Sequence, residues 1–151
     1  MPENPKPLDA TEEQAWRALA RFFVVVPRLL DEDLQRSAHM SLSAYSILMQ
    51  LSEAPGRTLR ITELANRAYL SGSRTTRLVD ELIADGLLTK ERNASDARGF
   101  DVALTEAGLA ALRQAYGGHL RSVRSRVMDH IEPSALSCFA KTVTAIAETL
   151  D

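Results

Sequence analysis

The sequence predicts a mainly α fold (α+β class) of six helices, with a two-stranded β-hairpin between the fourth and the fifth helix. Leu and Ala are abundant whereas only 5% of the residues are aromatic, and this composition favours helix over sheet. Apolar residues recur at spacings of three and four along most of the chain, which is the helical period. The period changes to the alternation typical of strands only between residues 87 and 104.

The first helix is predicted from Thr11 to about Arg36, because its apolar residues form a stripe wide enough to be buried. These residues are Trp16, Leu19, Phe22, Phe23, Val26, Leu29 and Leu30. Pro27 is expected to kink this helix or to divide it, since proline lacks an N–H group and clashes with the preceding turn. Residues 1–10 are polar and proline-rich, without the apolar core of a signal peptide, and are interpreted as a flexible lead-in.

A second helix is predicted from about Ser41 to Ser52, with Ser41 as its cap. Two shorter helices then follow in close succession, separated only by Tyr69 and Leu70. The third helix has a single apolar face, formed by Ile61, Leu64, Ala65 and Ala68. This arrangement predicts a helix, a tight turn and a second helix.

Ser71 is expected to cap the fourth helix, and Gly86 follows its C-terminus as glycine commonly does. Its inward positions are Thr75, Leu78, Val79 and Leu82. Two strands, Leu87–Arg92 and Phe100–Leu104, are predicted next, joined by the turn-forming run Asn93–Gly99.

The fifth helix is predicted from Thr105 onwards, and a final helix runs to about Leu150 with Pro133 in its first turn. Cys138, the single cysteine, lies in this last helix and is expected to be a small buried apolar residue. A redox-sensing thiol is the alternative. Because it is alone, Cys138 can form neither an intrachain disulfide nor a thiolate cluster for zinc.

The overall charge argues mildly against a nucleic-acid ligand, since the formal net charge is -2 at pH 7. Residues 57–98, however, contain eight basic and six acidic residues, so this segment carries +2 and the remainder carries -4. The middle of the chain is therefore the relatively basic part. There is no apolar stretch of about 18 residues, so no membrane contact and a cytoplasmic location are expected.

Two short helices joined by a tight turn and followed by a hairpin predict a winged helix-turn-helix lobe. The fourth helix of such a lobe can enter the major groove of duplex DNA. Its outward positions, up to Arg77, carry hydroxyls and arginines that can bind phosphates or base edges, and no acidic residue. They are Ser71, Ser73, Arg74, Thr76 and Arg77, with Arg74 expected on the groove-facing side. On periodicity alone, a solvated surface helix is an equal alternative.

The predicted turn between the strands contains Arg98, whose side chain could enter a narrow minor groove. Asp96, two residues earlier, could fix the loop by binding turn amides or by pairing with a basic residue. An Asx-turn beside a solvated arginine explains the same residues without DNA.

The segment from Leu70 to Gly108 resembles the central motif of the MarR family of bacterial transcriptional regulators. The matching pieces are the Ser-x-Ser start of the fourth helix, Thr-Arg-Leu-Val-Asp at residues 76–80, Gly-Leu-Leu at residues 86–88, Asp-Ala-Arg at residues 96–98 and Leu-Thr-Glu-Ala-Gly at residues 104–108. Residues 42–51 and 63–65 also agree with family positions, so the resemblance extends over nearly the whole chain.

The resemblance implies a sequence-specific regulator of transcription, expected to be a repressor, that binds a palindromic operator in double-stranded DNA as a homodimer. It implies one domain over residues 11–151, in which residues 11–36 and 106–151 dimerise and residues 41–105 form the DNA-binding lobe. The expected DNA-binding residues are Ser71, Ser73, Arg74, Thr76, Arg77, Lys90, Arg92, Asp96 and Arg98. Lys90 stands where many members have Arg, so a bidentate contact there would become a single-point contact.

Many family members are released from DNA by small aromatic or anionic molecules, which implies a candidate effector site. Its candidate lining residues are Trp16, Phe23, His39, Tyr45 and Met49, each explained equally well by plain packing. No metal site is expected, because the three histidines are scattered, and no cofactor is expected. The sequence contains no enzyme motif. A winged-helix module that binds protein rather than DNA is the remaining alternative.

Overall fold

The computed structural model describes residues 6–93 and 99–150, and within these ranges it contains six helices and three strands. The helices are α1 (Ala10–Ala38), α2 (Leu42–Glu53), α3 (Ile61–Arg67), α4 (Gly72–Ala84), α5 (Glu106–Arg126) and α6 (Leu136–Ala147), and the strands are β1 (Thr58–Arg60), β2 (Leu88–Arg92) and β3 (Phe100–Leu104). The six predicted helices and the predicted hairpin are confirmed. Within the same ranges, no helix combines the length and the apolar character that crossing a bilayer requires.

The long helix α1 continues through Pro27 as a single element, so of the two outcomes expected at this proline, a kink or a division, the division does not occur. Asp9 begins it with a capping box, in which its carboxylate accepts from the backbone of Glu12 and the Glu12 carboxylate accepts from the Asp9 N–H. Pro27 is exposed, so the carbonyl group that it leaves unpaired in the preceding turn can bind water.

The hydrophobic core is formed by side chains from the end of α1, from α2, α3 and α4, from the sheet and from the first half of α5. Its fully buried side chains include Leu34, Ile47, Leu48, Leu51, Leu64, Val79, Leu88 and Val102. Every element of the central lobe contributes to this cluster, so the lobe is held together by one shared core.

The sheet has three strands in the order β1-β3-β2, all antiparallel, rather than the two that the sequence predicts. Strand β1 pairs with β3 through Leu59 opposite Val102, and both side chains are buried. The alternation of apolar and polar residues cannot reveal a strand of three residues, because it does not complete two periods. The hairpin β2–β3 is therefore anchored to the chain just before α3.

Helix α4 has the caps and the inward face that the sequence predicts. The Ser71 hydroxyl accepts from the Arg74 N–H at 3.3 Å, and Gly86 follows the helix with φ +74°. Thr75, Val79 and Leu82 are buried. The polar face of the helix is left pointing away from the core.

Helix α6 begins at Leu136, after a turn that contains Pro133, rather than at Pro133 itself. None of its residues is buried, and its apolar stripe of Leu136, Phe139, Val143 and Ile146 is exposed. The expectation of a buried Cys138 is wrong for the single chain, where this thiol is exposed. The physical reason is that α6 is not covered by the rest of the described chain.

Candidate nucleic-acid interface

The outer side of the first two turns of α4 forms an exposed polar surface, called here the recognition face, made of Ser71, Ser73, Thr76 and Arg77. Together with Asp80 and Glu81, part of it lines a shallow, open depression of about 710 Å³. The Ser71 and Ser73 hydroxyl oxygens lie 3.4 Å apart at the N-terminus of the helix. The free N–H groups of that helix end favour a phosphate.

Charge divides α4 along its length. The recognition face carries Arg77 and no carboxylate, whereas Asp80 and Glu81 follow on the next turn. The Arg77 side chain is 76% exposed and only distantly paired with Glu81, at 3.9 Å. Because phosphates are anionic, the N-terminal half of the helix is the half that suits DNA.

Arg74 is exposed but does not point straight out from the recognition face. Its guanidinium donates to the Ser43 hydroxyl on α2 at 3.0 Å. The side chain therefore bridges α4 and α2, and the sequence-based expectation for Arg74 omitted this contact. Of the two arginines on the helix, Arg77 is the one that lies on the recognition face and lines its depression.

Lys90 in strand β2 forms an ion pair with Asp80 on α4. Its ammonium lies 2.5 Å from the Asp80 carboxylate and 5.4 Å from the centre of the Phe100 ring. Only 24% of the Lys90 side chain is exposed. Arg92, also on β2, lies over the same ring at 5.9 Å. The hairpin is thus attached to α4 by the Lys90–Asp80 ion pair, while the Phe100 ring on β3 contacts both basic side chains of β2 within the hairpin.

At the loop end of the hairpin, hydrogen-bonded side chains link the three strands of the sheet. Arg60 donates to the Asn93 side-chain oxygen at 3.1 Å, and the Asn93 amide donates to both Asp101 oxygens at 2.8 and 2.9 Å. The two predicted wing residues Asp96 and Arg98 lie outside the described residues. The described part of the hairpin therefore ends in a set of hydrogen-bonded side chains.

The five candidate effector residues do not share one site in the single chain. Tyr45 and Met49 line a cavity of about 290 Å³ between α2 and α5, whereas His39 lines another of about 320 Å³ beside α4. Trp16 and Phe23 lie on α1 with 58% and 60% exposure and line neither of these cavities. Only Tyr45 and Met49 are brought together.

Two polar sites in the helical body were not expected from the sequence. The Arg126 guanidinium holds the Asp33 carboxylate with two hydrogen bonds of 2.7 and 3.1 Å, tying α5 to α1. This hydrogen bonding lowers the pKa of Asp33 to about 2, against the opposing effect of burial. The second site is His119, whose Nδ1 is buried without a hydrogen-bond partner in the described residues, and burial lowers the pKa of this histidine.

Within residues 6–93 and 99–150, no three His, Cys, Asp or Glu side chains meet in an arrangement that could hold a metal ion. Burial raises the pKa of Tyr45, so its hydroxyl stays protonated at neutral pH.

Comparison with known proteins agrees with this arrangement. The MarR family model matches residues 40–99. The chain is 32% identical over 111 residues to the HTH-type transcriptional repressor YetL of Bacillus subtilis, an alignment that covers 74% of this chain and 66% of the repressor, just under two thirds of its length.

Two solved structures from Streptomyces coelicolor are similar over almost the whole chain. Sco3205, a MarR family transcriptional regulator solved in complex with DNA, is 35% identical with a TM-score of 0.90, covering 97% of this chain and 92% of that one. AbsC, another MarR family transcriptional regulator, is 32% identical with a TM-score of 0.88, covering 97% and 98%. The chain described here belongs to the MarR family of transcriptional regulators.

Proposed function

We propose that this protein is a repressor that binds a palindromic operator in double-stranded DNA as a homodimer. The observation that carries the proposal is the recognition face, a capped and exposed helix end with hydroxyls and Arg77 but no carboxylate. Its relatives support the proposal, because YetL is a transcriptional repressor and Sco3205 was solved in complex with DNA. A protein-binding module would not need an arginine and hydroxyls at this helix end.

In this proposal Arg77 reads bases, because it is the exposed arginine of the recognition face and can donate two hydrogen bonds to guanine. Ser71, Ser73 and Thr76 serve phosphates and nearby base edges. Arg74 contributes to phosphate binding, while its hydrogen bond to Ser43 holds α4 against α2. On the hairpin, Lys90 acts mainly through Asp80, and Arg92 and Arg98 meet the backbone and the minor groove while Asp96 stabilises the loop.

The rest of the chain brings two such lobes together. Residues 11–36 and 106–151 form the dimerisation body and residues 41–105 form the DNA-binding lobe. A small aromatic or anionic effector would act between these parts, and the cavity beside Tyr45 and Met49 is the candidate place for it. A repressor works where the bacterial chromosome lies, which is the cytoplasm.

The test is to select operator sequences from random duplexes and to titrate affinity against salt on the operator and on a scrambled duplex. Arg77→Ala should weaken operator binding by about 10- to 100-fold, the value of one bidentate base contact of roughly 1–3 kcal/mol. Scrambled DNA should be affected far less. Arg74→Ala should weaken binding to the operator and to the scrambled duplex to a similar extent. Failure of the parent protein to enrich any sequence would overturn the proposal.

A further inference from the structure

The turn between α3 and α4 has a tyrosine in a backbone conformation that favours glycine. Tyr69 has φ +53°. Its N–H donates to the Asn66 carbonyl at 3.1 Å, and the Leu70 N–H donates to the Ala65 carbonyl at 3.0 Å. These two bonds define a Schellman motif in which the left-handed position is usually glycine.

The same chain shows the usual arrangement at the end of α4. There the Gly86 N–H donates to the Ile83 carbonyl and the Leu87 N–H donates to the Leu82 carbonyl, both at 2.9 Å. Gly86 occupies the left-handed position with φ +74°. The two helix ends have the same hydrogen bonds but different residues, so Tyr69 is held in a strained conformation that Gly86 avoids.

The Tyr69 side chain is not packed against the rest of the described structure. It is 84% exposed, more than any other large apolar side chain in the described residues. No group in residues 6–93 or 99–150 forms a hydrogen bond with its hydroxyl. Within the described residues, the strained φ and the exposed ring therefore have no compensating contact, and a bound ligand would supply one.

The position of Tyr69 in the chain indicates the class of ligand that this side chain would bind. It stands two residues before Ser71, the cap of α4, and thus beside the recognition face. In a helix-turn-helix the first helix crosses the DNA backbone while the second enters the groove, so the turn between them lies at the phosphates. The nearby cation Arg67 is already paired with Glu63 at 2.7 Å, which leaves the phenol as an uncharged donor at this edge.

We propose that Tyr69 binds the DNA backbone: its hydroxyl donates a hydrogen bond to a phosphate oxygen next to the N-terminus of α4, and its ring packs on the adjoining deoxyribose. This inference rests on the proposed function. Such a contact fixes the register of the recognition helix without reading sequence. It also releases no counterion, because the phenol is neutral.

The experiment compares the full-length parent, Tyr69→Phe and Tyr69→Gly on the selected operator and on a scrambled duplex across a range of salt concentrations. Tyr69→Phe should bind both duplexes about tenfold more weakly, as expected for one hydrogen bond to a charged group. Tyr69→Gly, which also lacks the ring, should bind more weakly still. The salt dependence of both variants should equal that of the parent, whereas Arg74→Ala, which removes a phosphate-binding cation, should flatten it by about one counterion.

Melting temperatures distinguish a DNA contact from a structural role. Tyr69→Gly should melt at the parent's temperature or above it, since glycine relieves the strained φ. A lower melting temperature would show that the ring supports the fold, and it would overturn the inference. Equal affinity of all three proteins would overturn it while leaving the proposed function intact. If the Tyr69 variants lost affinity for the operator alone, Tyr69 would be reading bases rather than binding a phosphate, and the inference would be overturned. A parent that binds no duplex would overturn both proposals.

Discussion

At the scale of single residues, His119 shows how one buried group ties stability to pH. Its ring packs on Tyr45 with the ring centres 4.4 Å apart, and its Nδ1 has no partner in the described residues. Burial lowers the pKa of His119 below its ordinary value of 6.5. When the pH falls through 6.5 the unfolded chain takes up a proton before the folded chain does, so stability must fall with the pH.

His119→Phe should remove this loss, because phenylalanine keeps the ring contact and cannot be protonated. Between pH 7.5 and pH 5.5 the parent's melting temperature should fall by a few degrees more than that of the variant. Tyr45→Phe is the matched control, since it alters the same contact without removing the histidine, and it should follow the parent. The explanation fails if parent and His119→Phe have the same pH dependence of the melting temperature.

At the scale of secondary-structure elements, one ion pair links α4 to the hairpin, the two elements proposed to bind DNA. The Lys90 ammonium bridges the elements through the Asp80 carboxylate at 2.5 Å and lies against the Phe100 ring. A lysine held in this way orients the wing relative to the recognition helix. A lysine that bound phosphate directly would have to leave Asp80 to do so.

Asp80→Ala distinguishes the two roles by the sign of its effect. If the pair orients the wing, this variant should weaken operator binding by roughly threefold to tenfold, although it removes a negative charge from the DNA-facing helix. Lys90→Ala should do the same, and the double variant should be little worse than either, because coupled residues are not additive. If Lys90 binds phosphate, Asp80→Ala should instead strengthen binding. Asp85→Ala, just after the end of α4, is the charge-matched control, because the Asp85 carboxylate forms no ion pair in the described residues.

Local signals account for most of the elements that the sequence predicts. The caps Ser41 and Ser71, the start of the fifth helix near Thr105 and the hairpin strands were all predicted, because each depends on neighbouring residues. Strand β1 was not, since it exists only through its pairing with β3. The contacts of Arg74 with Ser43 and of Arg126 with Asp33 join residues 31 and 93 positions apart, and no periodicity reports such distances.

At the scale of the whole molecule, the terminal helices have an apolar surface that the described residues 6–93 and 99–150 leave uncovered. All of α6 is unburied, and its stripe includes Phe139 at 39% exposure and Val143 at 44%. The N-terminal half of α1 adds Trp16 and Phe23, both more than half exposed. Burying one large apolar side chain is worth about 1.5–3 kcal/mol, so covering this surface with a second copy would offset the cost of association.

The prediction is that the parent sediments as a stable dimer at micromolar concentration, whereas Phe139→Asp combined with Val143→Asp sediments as a folded monomer. A carboxylate in the middle of an apolar interface has no partner, so each substitution should cost about 2 kcal/mol or more. Ala145→Asp is the control, because helical periodicity places residue 145 on the opposite side of α6 from the stripe. This variant should remain a dimer.

The same variants test the operator geometry. In a dimer the two recognition helices meet successive major grooves, so half-site centres should lie about 10 base pairs apart. The parent should therefore bind a palindrome far more tightly than a duplex with one half-site, while the monomeric variant should bind the two alike. The Ala145→Asp control should match the parent on both duplexes. A parent that sediments as a monomer, or that binds one half-site as tightly as the palindrome, would contradict both the dimer and the symmetric operator.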